Sequence, residues 1–240
     1  RDHCVTGVQT CALPIFSFDV RRGGVLGIMG GSGTGKSVTL RHVIGLLTQD
    51  SGRVEVEGRD VADLSPGELQ ALRKRMGFVF QEGALINWLT VAENLALPLA
   101  ENTSLSASEI EDRVAEKLAQ VHIPDAGGKL PSEISGGMKK RVGLARALIT
   151  DPDIILYDEP TTGLDPGNIK MIDQLVVDLQ EITGVTSIVV THDMESAFRI
   201  SDRIAVLWNR HIEWVGYQDE ISGAENPIVR NFVAGDVGFG

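Results

Sequence analysis

Gly30-Gly31-Ser32-Gly33-Thr34-Gly35-Lys36-Ser37 is the stretch that decides how this chain is read. It has the form GxxxxGKS, in which glycines let backbone N–H groups curl around phosphate oxygens. The apolar run Val25-Leu26-Gly27-Ile28-Met29 stands before it and reads as a buried strand. Behind it, Val38, Leu40, Val43, Ile44 and Leu47 recur at helical spacing. A phosphate cradle needs strand, loop and helix in that order, because the helix N-terminus adds partial positive charge. Lys36 can then reach the β- and γ-phosphates of a nucleotide, and the Ser37 hydroxyl can ligate Mg²⁺. A glycine-rich turn that only joins a strand to a helix is the alternative, and the flanking pattern disfavours it.

A second stretch narrows the chemistry. Ile134-Ser135-Gly136-Gly137 opens another helical pattern, and Ile154-Ile155-Leu156-Tyr157-Asp158-Glu159 follows it. An apolar strand ending in Asp-Glu puts two carboxylates at the C-terminal edge of a sheet, where open α/β sheets bind ligands. Asp158 can hold Mg²⁺ through water, and Glu159 can orient or deprotonate an attacking water. Alone, four apolar residues and Asp-Glu are often only a strand end. With a phosphate loop upstream they become specific.

With these motifs in place, the chain resembles the ATP-binding cassette (ABC) ATPases from about Phe16 to its end. The family's motifs stand in family order: the loop at 30–37, a glutamine at Gln81, the signature ISGG at 134–137, Asp158-Glu159, Gly163-Leu164-Asp165 and His192. Ile134 replaces the usual Leu and Met138 a frequent Gln. The resemblance implies an α/β P-loop NTPase core with an antiparallel β portion and a helical subdomain at about 82–148. It implies ATP and Mg²⁺ as cofactors. ATP binding falls to Gly30, Gly31, Ser32, Gly33, Thr34, Gly35, Lys36, Ser37 and Val38, and Mg²⁺ to Ser37, Gln81 and Asp158. Glu159, His192 and Gln81 carry hydrolysis. Ser135, Gly136 and Gly137 cover the γ-phosphate bound to an opposite subunit, and Asp165 communicates across that homodimer. Read alone, Ser135 could simply cap its helix, Asp165 could be a turn aspartate, and His192 could be an edge residue.

Composition agrees with one domain of this kind. The chain has 240 residues and a formal net charge of −11, which argues against a nucleic-acid surface. No run of 18 or more apolar residues occurs, so membrane association is expected through a partner. Cys4 and Cys11 are the two cysteines, too few for a closed zinc site. Arg1 to Ile15 fits the pattern poorly and resembles translated sequencing-adapter DNA. It is expected to be a non-native leader, with a divergent natural N-terminus as the alternative, before a single domain at 16–240. No Phe, Tyr or Trp precedes Phe16, so no adenine-stacking residue can be named.

Local signals fill in the rest. Arg53-Val54-Glu55-Val56-Glu57 alternates as a strand ending at Gly58. Ser65-Pro66-Gly67-Glu68 predicts a helix from Pro66 to about Arg75, and Ser106 to Glu109 caps another. Phe78-Val79-Phe80 reads as a strand delivering Gln81, with helical structure from Glu82 onward. Arg203–Trp208 and His211–Val215 form a hairpin about Asn209-Arg210, a turn without the usual glycine.

Three function classes compete: a transporter motor, a soluble ATPase of translation, and a DNA-repair or chromosome ATPase. One cassette without a heptad insert favours the transporter. The run from Gly83 to Leu99 and Ser135-Gly136-Gly137-Met138-Lys139-Lys140-Arg141 resembles the ATPase subunits of Mce-linked, Mla-type lipid transporters. That resemblance implies permease subunits, an Mce-type substrate-binding protein and a peripheral place on the cytoplasmic face of a bacterial inner membrane. Other importer or exporter classes remain the alternative. Leu85, Ile86 and Trp88 are expected to receive a permease helix, with Trp88 or its neighbours lining a groove beside Gln81.

Overall fold

The computed structural model describes residues 8–9, 15–31 and 33–233. Two short strands, β1 (Val8–Gln9) and β2 (Ile15–Phe16), pair antiparallel. The phosphate-loop unit follows as β3 (Val25–Gly30) and α1 (Lys36–Val43). A small hairpin, β4 (Glu55–Val56) and β5 (Arg59–Asp60), leads to α2 (Pro66–Lys74) and β6 (Met76–Val79). Three helices come next: α3 (Val91–Asn102), α4 (Ala107–Gln120) and α5 (Gly136–Leu148). The second half alternates as β7 (Ile154–Asp158), α6 (Pro166–Thr183), β8 (Thr186–Thr191) and α7 (Met194–Ile200). It closes with β9 (Arg203–Trp208), β10 (His211–Tyr217) and α8 (Pro227–Val233).

Six strands form one sheet in the order β10-β9-β3-β8-β7-β6. Every neighbouring pair is parallel except β9 with β10. Among the described residues the antiparallel part is therefore β10 and the two-residue ladders of β1–β2 and β4–β5. Helices cover both faces, which explains the near-continuous apolar strands. Ile155, Tyr157 and Val189 face a core shared with α3 to α6. Leu26, Ile28, Leu156, Ile188 and Val190 face a second core with Phe18 and α1.

Local sequence signals account for most helix ends. Ser65 and Glu68, and Ser106 and Glu109, make the expected reciprocal capping boxes. Helical structure does not begin at Glu82. It begins at Val91, where Thr90 and Glu93 form a third capping box. The segment before it is instead pinned by the buried Asn94, whose amide donates to Ile86 O and Leu89 O at 3.1 Å and whose oxygen accepts from Ile86 N at 2.8 Å.

The α1 stripe also ends earlier than its periodicity suggests. Gly45 takes φ +70°, and Leu46 N donates to Arg41 O at 2.8 Å, a Schellman closure. Leu47 therefore lies past the helix and is exposed. The 53–57 strand shrinks to Glu55–Val56 because Glu57 and Gly58, at φ +52° and +77°, already form the turn. Phe80 leaves the β6 ladder, which starts at Met76. Asn209 and Arg210 both take left-handed φ, +45° and +67°, so the last hairpin uses a two-residue type I′ connection without glycine.

Two substitutions test this packing by chemical denaturation. Ser106→Ala removes a cap and should cost roughly 1 kcal/mol. Leu156→Ala empties part of the second core and should cost about 2–5 kcal/mol. Comparable small losses for both would mean that β7 is not the centre of the fold.

Candidate functional site

The C-terminal ends of β3, β7 and β8 carry the candidate residues onto one edge of the sheet. This is the edge where parallel sheets place ligand sites, since the loops there leave the strands toward open space. Gly33 and Gly35 take φ +74° and +104°, which lets the loop after β3 bend back to the start of α1. A side-chain carbon added at Gly33 would meet nothing within 4 Å, so the cradle is open on that side.

Lys36 is the first residue of α1 and is 6% exposed. Its Nζ donates to Gly30 O at 2.8 Å and Gly31 O at 2.9 Å, and lies 3.5 Å from Glu159 Oε1. A buried ammonium must be surrounded by oxygen, and here the loop itself supplies it. Ser37 Oγ donates to Asp158 Oδ1 at 2.6 Å, which brings the last residue of β7 against α1. Thr34 Oγ1 donates to Gly31 O at 2.9 Å and stiffens the loop. Gly30 needs to be glycine, because a Cβ there would stand 2.6 Å from Leu207 O on β9. Val38 is half-buried on the first turn of α1, and Ser32 lies outside the described residues.

Glu159 follows β7 in a left-handed conformation, φ +51°. Its N–H donates to Val190 O at 2.9 Å, which aims the backbone toward β8. Its side chain is held on two sides. Oε2 accepts from Thr162 Oγ1 at 2.7 Å and pairs with His192 Nδ1, while Oε1 faces Lys36. His192 follows β8 and stays half-exposed, so its imidazole can face both the carboxylate and an outside group. The structure thus brings Lys36, Ser37, Asp158, Glu159 and His192 into one connected cluster.

Gln81 reaches this edge from β6. Val79 pairs with Tyr157 at the end of the parallel ladder, so Gln81 and Glu159 each follow shortly after their strand ends. Its carbonyl accepts from Lys140 Nζ. Burial pushes the Lys140 ammonium below its usual range, and the charges of Glu159 and Glu82 oppose that shift.

Two groups stay apart from the cluster. Ser135 caps α5 by accepting from Met138 N at 3.3 Å, and Gly136 begins that helix. Asp165 caps α6 by accepting from Gly167 N and Asn168 N at 3.1 Å. These bonds, with the Asn168 side-chain amide, hold its carboxyl below the usual range. The two turns adjoin each other, since a Cβ on Gly137 would stand 2.8 Å from Asn168 Oδ1.

Trp88 stands on the surface. It is 81% exposed, while Leu85 packs on the core and Ile86 is half-buried. Of the doubtful leader, Val8–Gln9 and Ile15 form backbone strands, while positions 1–7 and 10–14, with Cys4 and Cys11, lie outside the described residues. Thr162 is signalled in the sequence only as a hydroxyl three residues after a turn carboxylate, and Lys140 only as part of a basic run.

Among the described residues, no three His, Cys, Asp or Glu side chains group to hold a metal ion. The hard oxygens of Ser37 and Asp158 suit Mg²⁺, which characteristically takes one or two protein oxygens and completes its shell with phosphate and water. The open glycine loop with its adjoining helix N-terminus suits a phosphate chain.

Comparison with known proteins points the same way. The family described as ABC transporter matches residues 13–162. The chain is 37% identical over 235 residues to the intermembrane phospholipid transport system ATP-binding protein MlaF of Escherichia coli K12, covering 98% of this chain and 87% of that one. It is 41% identical over 219 residues to the probable ribonucleotide transport ATP-binding protein mkl of Mycobacterium leprae, covering 91% of this chain. It spans only 63% of that relative's length. Among solved structures, the dimeric bacterial ABC transporter cassette MJ0796 superposes with a TM-score of 0.80 at 34% identity, covering 91% of this chain and 97% of the other. A linked cluster at the ends of β3, β7 and β8, the matched profile and these relatives leave one assignment: the chain belongs to the ABC transporter family.

Proposed function

We propose that this chain binds ATP with Mg²⁺, hydrolyses it in a dimer of two such cassettes, and drives lipid transport through a separate membrane permease. One observation carries the hydrolytic part. Lys36, Ser37, Asp158, Glu159 and His192 form a continuous chain of contacts at one sheet edge. Loop N–H groups from Gly30 to Val38 and the Lys36 ammonium would hold the phosphates. Ser37, Asp158 and Gln81 would hold Mg²⁺, whose charge stabilises negative oxygens as the phosphoryl group transfers. Glu159, positioned by Thr162 and His192, would orient the attacking water and take its proton.

The dimer follows from what stays apart. Ser135, Gly136 and Gly137 make an anion cradle at a helix start but do not join the cluster at the loop. A second copy placed head to tail would set that cradle, with the adjoining Asp165 turn, over a bound γ-phosphate. The dimeric MJ0796 cassette, described also in a post-hydrolysis state with ADP and phosphate, supports this arrangement.

The MlaF relative, matched across nearly the whole chain, supports phospholipid as cargo and an Mce-type substrate-binding partner. The relative named for methionine import in Caulobacter vibrioides, 43% identical over 196 residues, favours a second reading as a small-solute importer. A peripheral place on the cytoplasmic face of an inner membrane fits a chain in which no helix among the described residues is long and apolar enough to cross a membrane. The net charge of −11 weighs against a nucleic-acid partner. Purifying the complex from its native membrane and identifying bound lipids by mass spectrometry tests the cargo. Phospholipid should co-purify, and a complex carrying only a small polar solute favours the second reading.

Three substitutions test the parts. Glu159→Gln should lower kcat by about 10²–10⁴-fold while ATP still binds, since an amide cannot accept the proton. ATP with Mg²⁺ should then trap a dimer on size exclusion, and wild-type turnover in this variant would remove Glu159 from the chemistry. Lys36→Ala should instead weaken ATP binding itself by roughly 10–100-fold in calorimetry, the scale of a charged hydrogen bond. Trp88→Asp should leave melting temperature and basal ATPase unchanged while abolishing permease assembly, as expected for an exposed aromatic anchor. Normal assembly in pull-down would exclude Trp88 from that interface.

A further inference from the structure

Helix α5 grips the segment that carries Gln81 with one stripe of residues, Lys140, Gly143 and Arg146. Lys140 Nζ donates to Gln81 O, and also lies 3.4 Å from Glu159 O. Arg146 donates to Gly83 O at 2.8 Å and Ala84 O at 2.7 Å. Between them, Gly143 lets the helix approach so closely that a Cβ there would stand 3.2 Å from Gly83 Cα. The gripped backbone is an unusual one. Gly83 and Ala84 take φ +76° and +46° in succession, and a left-handed alanine costs about 1–2 kcal/mol. Such a conformation persists only where the surroundings over-determine it.

Lys140 occupies the one point where this grip meets the catalytic edge. Beyond Val79 and Tyr157 the β6–β7 ladder stops, and Pro160, after Glu159, has no N–H to donate. Gln81 and Glu159, each just beyond the end of its strand, both turn a carbonyl to one point. The Lys140 ammonium fills that place and is 8% exposed. Burying an ammonium costs several kcal/mol unless oxygens surround it, so its position is set by these two acceptors rather than by solvent.

We propose that Lys140 is a positioning residue for hydrolysis: it staples the backbone of Gln81 to that of Glu159, so that both side chains enter the site in one register. The inference rests on the ATP-hydrolysis reading above. It concerns kcat rather than nucleotide binding, because among the described residues the hydrogen bonds of Lys140 go to Gln81 and Glu159 and not to the phosphate loop.

The test uses the full chain with Lys140→Met, which keeps length and removes the charge, and Lys140→Arg, which keeps a cationic donor. Lys140→Met should lower kcat at least about 10-fold with the KM for ATP changed less than about 3-fold, the split expected when only the transition state loses support. Lys140→Arg should recover most of that loss. Deuterium uptake across residues 79–86 should rise in the methionine variant and not in the arginine variant. Wild-type kcat in Lys140→Met, or a parallel fall of kcat, ATP affinity and melting temperature, would overturn the staple. A wild-type chain without ATP turnover would sink the hydrolysis reading instead. The exchange comparison would then still decide the staple, since unchanged uptake in Lys140→Met overturns it on its own.

Discussion

A buried ammonium beside a buried sheet edge sets the terms for everything around it. Lys36 is almost wholly removed from water, and its charge is balanced by Gly30 O, Gly31 O and Glu159. This arrangement requires the loop to fold back on the first residue of α1, which in turn requires left-handed glycines at 33 and 35. It also requires β7 to lie two strands from β3, so that Glu159 emerges opposite the loop. The parallel order β3-β8-β7 delivers both. A phosphate chain entering this loop would compete with carbonyl oxygens for the same ammonium. The lysine is thus already held where an anion would need it, and little reorganisation would accompany binding.

The same economy governs the carboxylates. Asp158 and Glu159 are adjacent in sequence yet point to different partners, because Glu159 adopts a left-handed backbone that swings its side chain away. Asp158 faces a hydroxyl at 2.6 Å, while Glu159 faces an ammonium, a hydroxyl and an imidazole. One strand end therefore offers a hard-oxygen site and a water-handling site without the two charges sharing a position. Strain at a single residue, of order 1–3 kcal/mol, is the cost of that separation.

Much of this was legible in the sequence, and the exceptions have physical causes. The two expected capping boxes formed because Ser and Glu three apart bond locally, whatever the rest of the chain does. The strand ends carrying Gly30 and Asp158 were legible because parallel strands buried on both faces read as apolar runs. The start of α3 was misplaced because apolar residues from 85 to 89 resemble a helical stripe. Their backbone is in fact tied to Asn94, a contact eight residues away that no periodicity encodes. The short β4 was misjudged because a turn at Glu57-Gly58 consumes the alternation. Lys140 could not be recognised at all. A lysine in a basic run reads as a solvated face, and only the β6–β7 register shows the two carbonyls it bridges.

The parts that stand outside the cluster are nevertheless coupled to it through the interior. Asp165 begins α6, and His192 immediately precedes α7. Between these two helices sits Asp173, fully buried, accepting from Ser196 Oγ at 2.9 Å and paired with Arg199. Burial raises its pKa, and among the described residues its Oδ1 lacks a partner. A half-satisfied carboxylate in that position is weak support for stability, since an apolar pair of similar volume packs without desolvating charge. Its effect is geometric instead. Removing Arg199 would leave the buried Asp173 carboxylate without its counter-charge, so the pair ties α6 to α7. The turn at Asp165 and the imidazole at His192 thus adjoin the starts of two helices that this pair joins.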